Sequence, residues 1–140
     1  MTPPTFGFSV GDFVAITGLI VTIVQALRGI SDDLIELKEL QNELNHLKSL
    51  FDLIGNAIST GSVITVQNAE RLLETFSSGQ KVLSDFKSLV DKYADPPAGS
   101  VKYRRRVAWA VWKKQKVEPF QRRLKSYITT LSMIQSELNR

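Results

Sequence analysis

Residues 6–27 read FGFSVGDFVAITGLIVTIVQAL, a stretch in which Asp12 is the one charged side chain and nothing from Phe13 to Leu27 carries a charge. A segment this apolar either fills a protein core or enters a lipid bilayer. Its ends are marked as those of a helix. Ser9 stands at the capping position with Asp12 three residues on, where a carboxylate meets the positive end of the helix dipole, and Arg28 followed by Gly29 reads as a C-terminus. Between these marks Val14, Ile16, Thr17, Ile20, Val21, Thr22, Ile23 and Val24 are β-branched, and Gly11 and Gly18 lower helix propensity further. A helix of that composition is marginal in water, so burial must stabilise it over residues 9–28.

Length leaves both fates open. The uncharged residues 13–27 would span roughly 22 Å as a helix, short of the roughly 30 Å hydrocarbon core, whereas residues 6–27 would reach about 33 Å. Spanning would carry Asp12 into lipid, at roughly 3 kcal/mol near the centre and less near the edge. Phe6, Phe8, Phe13, Val14, Ile16, Leu19, Ile20, Ile23, Val24 and Leu27 are then the residues expected to enter the membrane. Gly7 and Gly11 form a GxxxG pair, and with Gly18 they would allow close helix packing. The competing reading is an ordinary central helix of a soluble bundle. Val24 and Ala26 resemble a signal-peptide cleavage motif, but residues 1–11 hold no Lys or Arg, so cleavage is not expected.

Three further apolar seams extend outward from this stretch. Leu37, Leu40, Leu44, Leu47, Phe51, Ile54 and Ile58 recur at alternating steps of three and four, which predicts a helix over 31–59 opened by Ser31, Asp32 and Asp33. Ala69, Leu72, Phe76, Gly79, Leu83, Phe86, Val90 and Tyr93 repeat the pattern over 65–93, and Ser77, Ser78 and Gly79 predict a kink or a close helix contact midway. Asp95 to Ser100 breaks the chain. A short helix over 101–114 follows, then one over 118–138 with Pro119 in its first turn and Val117, Phe120, Leu124, Tyr127, Leu131, Ile134 and Leu138 at heptad spacing. The fold class is all-α, a single bundle of four to five helices with an apolar N-terminal helix.

The 140 residues suffice for one domain with a sizeable core, and with no cysteine neither a disulfide framework nor a cysteine metal site can form. His46 is the one histidine, so neither a zinc site nor a histidine-activated nucleophile can be assembled, and no strand precedes the glycines as a phosphate-cradling loop requires. No catalytic residue, metal or cofactor is expected, and the chain reads as a non-enzyme. The net charge of +4 conceals a strong asymmetry. Residues 1–100 carry 7 basic and 12 acidic residues, and residues 101–140 carry 11 basic and 2 acidic. Lys102, Arg104, Arg105, Arg106, Lys113, Lys114, Lys116, Arg122, Arg123 and Lys125 make a basic region with Trp109 and Trp112 interleaved. Such a region suits anionic lipid head groups. It also suits phosphates of a nucleic acid, a partner judged unlikely, or a plainly solvated face with the tryptophans in the core.

FGFSVGDFVA at the start, LKELQNELNHLKSLF in the second helix and RVAWAVWKKQKVEPFQRRL near the end resemble, in the same order, the N-terminal HeLo-like (HELL) domains of fungal STAND (NLR-type) receptors and cell-death effectors. The resemblance spans nearly the whole chain. It implies a helical bundle similar to that of the mixed-lineage kinase-like pseudokinase and of plant resistance coiled-coil domains, whose N-terminal helix serves membrane targeting and cell death on oligomerisation. It further implies self-association, an upstream receptor or signalling domain, and a cytoplasmic protein that relocates to the plasma membrane. The bottom-up alternatives remain a protein-binding adaptor without a membrane step and a nucleic-acid binder.

Overall fold

An apolar helix needs a surface to lie on, and amphipathic helices on two sides of it supply one. The structure, a computed structural model, describes residues 8–30, 35–94 and 112–138. Helix α1 spans Val10–Ile30, α2 Ile35–Ser59, α3 Val66–Ala94 and α4 Glu118–Leu138, with a π-helical turn at Lys113–Val117 leading into α4. Among the described residues there is no strand, and the all-α bundle with an apolar N-terminal helix is the fold the periodicity predicts.

The ends of the elements follow from their residues. The Ser9 amide donates to the Asp12 carboxylate at 2.7 Å, one half of a capping box. Helix α2 stops at Gly61, whose φ of +101° suits a residue without Cβ. There the Ser62 amide donates to the Ala57 carbonyl at 2.8 Å and the Gly61 amide to that of Ile58 at 3.2 Å, a Schellman arrangement. Thr65 caps α3 by accepting the Asn68 amide at 3.1 Å. Two boundaries differ from expectation. Helix α1 runs through Gly29 to Ile30, and Gly29 does not adopt the left-handed conformation. The break expected between residues 114 and 118 is instead continuous helix, since Trp112 and Glu118 both have right-handed helical dihedrals. The Glu118 amide reaches back five residues to the Lys113 carbonyl, and this widened turn lies just before Pro119, whose ring would otherwise press on the preceding turn. Ser31, Asp32, Asp33, the Tyr93 side chain and most of the expected 101–114 helix lie outside the described residues.

Packing sets the arrangement. Helix α1 lies against α2 and α3, and α4 lies against the same two, so α1 and α4 occupy opposite corners. Phe13 near the start of α1 meets Gly55 near the end of α2, an antiparallel pair, while Phe13 on Phe76 and Ile16 on Gly79 make α1 and α3 parallel. Phe86 stacks on Phe120 and Ser78 shares a 2.6 Å hydrogen bond with Tyr127, which sets α4 antiparallel to α3. One core joins the seams. Leu37, Leu40, Leu44, Leu47, Phe51 and Ile54 of α2, and Leu124, Leu131 and Ile134 of α4, are buried with the inner face of α1.

Candidate functional site: the apolar first helix and its seat

The residues expected to enter a membrane divide by helical phase. Phe13, Ile16, Ile20, Ile23, Val24 and Leu27 are buried in the core, and Phe8 and Leu19 are half-buried against it. Val14 does not join them, being 66% exposed, and Phe6 and Gly7 lie outside the described residues. The exposed residues of α1 are Val10, Gly11, Val14, Ala15, Gly18, Val21, Thr22, Gln25, Arg28 and Gly29. From Val10 to Gln25 none of them carries a charge, and Arg28 stands on the same face in the last turn. The Thr22 hydroxyl donates to the Gly18 carbonyl at 2.9 Å and the half-buried Thr17 hydroxyl to that of Phe13 at 2.8 Å, so both are satisfied within the helix. By length and composition α1 can cross a membrane, a test that core helices of soluble proteins and signal sequences also pass. In the bundle 33% of the apolar window of α1 is buried, a share similar to that of the other helices.

Of the glycines expected to pack helices, the two among the described residues do not do so in the bundle. Gly11 and Gly18 are on the exposed face, and a Cβ at Gly18 would meet nothing within 4 Å. Two other glycines receive α1. A Cβ on Gly55 of α2 would lie 3.2 Å from the Phe13 ring, and one on Gly79 of α3 would lie 3.4 Å from Ile16 Cδ1. The close contact expected at Gly79 is therefore present, and Gly55 is its counterpart on the facing helix. Phe13 also stands edge-on to Phe76 with ring centroids 4.8 Å apart, Phe76 stacks on Phe51 at 5.3 Å, and Phe8 adds a ring 5.7 Å from Phe76. A groove of about 160 Å³ runs beside this cluster between α1 and α2, lined by Val10, Phe13, Val14, Thr17, Phe51 and Gly55 among others.

The basic region is described only in part. Lys102, Arg104, Arg105 and Arg106 fall outside the described residues. Lys114, Lys116, Arg122, Arg123 and Lys125 are exposed on the π turn and α4, and Lys113 is half-buried. In the bundle the outward faces of α4 and α1 point away from each other, because the two helices sit at opposite corners. Trp112 is not an exposed interfacial anchor either, since it stacks on Phe86 at 5.7 Å and rests half-buried against the core.

One polar group between α2 and α4 stands apart from this division. Glu43 keeps Oε2 buried without a partner, while its Oε1 accepts a long 3.4 Å hydrogen bond from Gln121. Burial pushes its carboxyl above the ordinary value and Glu39 adds to the rise, while Lys125 and Gln121 oppose it. His46 is exposed, and no cluster of three or more His, Cys, Asp or Glu forms among the described residues. Comparison with protein-family models, with curated proteins and with solved structures returns no match.

Proposed function

We propose that this chain is a membrane-targeting cell-death effector domain of the fungal immune-receptor type, acting by oligomerisation and by insertion of α1 into an anionic membrane. The observation that carries the membrane step is the composition of α1. Its inner face is core, and from Val10 to Gln25 its exposed face is uncharged and mostly apolar, with Arg28 at its end, so the helix is largely apolar around its circumference while only part of it is buried. A helix of that kind loses little by exchanging protein neighbours for lipid. The cell-death setting, the upstream receptor and the move from cytoplasm to plasma membrane rest on the sequence resemblance.

The opposite placement of α1 and the α4 cations supports an order of events. Docking through Lys114, Lys116 and Arg122 turns α1 away from the head groups, so α1 leaves the bundle before it inserts. Leakage of dye from phosphatidylserine-containing vesicles, but not from neutral ones, is the expected result. The second reading, a protein-interaction domain that pairs homotypically without lipid, draws on Gly11, Ala15, Gly18 and Thr22, small residues on the same outer face that admit a close helix partner. Concentration-dependent dimerisation in sedimentation equilibrium with no leakage from either vesicle favours that reading.

A further inference from the structure

We infer that Phe13 is the latch of α1 and that Gly55 is its socket, with Gly79 seating Ile16 one turn on, so that the fit of one ring against one glycine sets how often the helix leaves the bundle. Interior glycines weaken a helix, and α2 and α3 each carry one at the point where α1 comes closest. Neither position is a turn, since Gly61 is the glycine with positive φ among the described residues. The reason for glycine is space. At Gly55 an added methyl would stand 3.2 and 3.3 Å from two atoms of the Phe13 ring, tighter than ordinary contact, and at Gly79 the fit to Ile16 is nearly as close at 3.4 Å. The two glycines receive residues three apart, one turn of α1, at its N-terminal end. Between them the Phe13 ring also meets the edges and faces of Phe8, Phe51 and Phe76. The groove between α1 and α2 borders the Phe13 ring, so the ring is not enclosed on every side. Helix α4 packs against α2 and α3 through contacts of its own that do not involve α1, so the latch is expected to govern one helix rather than the bundle.

This deepens the reading of α1 as a releasable membrane helix and rests on it for its purpose, but the latch itself is tested without lipid. Hydrogen exchange of the α1 amides is measured on the 140-residue chain carrying Gly55→Ala, Phe13→Leu or both. Each single substitution should speed exchange of residues 16–27 about tenfold, one by crowding the ring and the other by shrinking it. The pair approximately conserves volume and should return exchange toward the parent rate. Unchanged exchange in Gly55→Ala, or a double variant whose two effects simply add, overturns the latch. Vesicle leakage by the same proteins then addresses function separately. Leakage that rises with α1 exchange supports the membrane role, whereas faster exchange with unchanged leakage keeps the latch and removes the membrane reading.

Discussion

Leu124→Ala separates a helix that leaves by itself from one that leaves only when the whole bundle unfolds. Leu124 is fully buried on α4, at the corner opposite α1, and contributes to the α2 and α3 contacts that remain when α1 is absent. Truncating such a leucine costs about 3 kcal/mol, a factor of about 150 in the unfolding equilibrium. Native-state hydrogen exchange read residue by residue should therefore show α4 core amides losing about 150-fold of their protection. The α1 amides should keep theirs, because they exchange through undocking, a step in which Leu124 loses little. Ile20→Ala, at an equally buried position of α1, should behave differently. Damage to docking precedes every later step, so exchange should accelerate throughout the bundle. Equal loss of protection in α1 and α4 on Leu124→Ala would show that α1 opens only with global unfolding, and the separable helix would be refuted.

Glu43→Gln tests the buried carboxyl. Its folded pKa lies above the unfolded one, so the stability it contributes is present below the ordinary carboxylate range and lost as pH rises through the raised value. The glutamine variant should melt higher than the parent at pH 7 and not at pH 4, and a variant that melts lower at pH 7 would show that the charged form is the one accommodated. Neutralising Lys114, Lys116 and Arg122 to Gln should weaken sedimentation with phosphatidylserine vesicles by about 3 kcal/mol at low salt, roughly 150-fold, with circular dichroism unchanged. Binding equal to the parent would place lipid recognition elsewhere on the chain.

The seams were legible because burial in a helical bundle repeats at three and four residues. Leu37 to Ile54 and Val117 to Ile134 lie in the core as the spacing requires. The N-terminal cap and the turn after Ser59 were legible for a similar reason, since Ser9 with Asp12 and Thr60 with Gly61 act through neighbours in sequence. The socket was not. Gly55 and Phe13 are far apart in the chain, and a glycine beside a seam gives no sign of which helix will rest on it. Gly11 carried half of the GxxxG spacing and Gly18 was expected to pack beside it, yet helical phase turns both outward. The opposite corners of α1 and α4 were also hidden, because helical periodicity says which face is apolar and nothing about which helices become neighbours. Pro119 lies in the first turn of α4 as expected, but no sequence rule anticipates that a π turn over Lys113–Val117 leads into it.

The membrane role of α1 is tested most directly by charging its outer face. Val14 is 66% exposed and Val21 37% exposed in the bundle, so Val14→Asp with Val21→Asp should shift stability by no more than about 1 kcal/mol in all. Inside a bilayer the same two carboxylates would cost about 3 kcal/mol each near the centre. Dye release from phosphatidylserine vesicles should fall to background in the double variant while its melting temperature stays within a few degrees of the parent. Full dye release by a folded double variant would contradict insertion of α1.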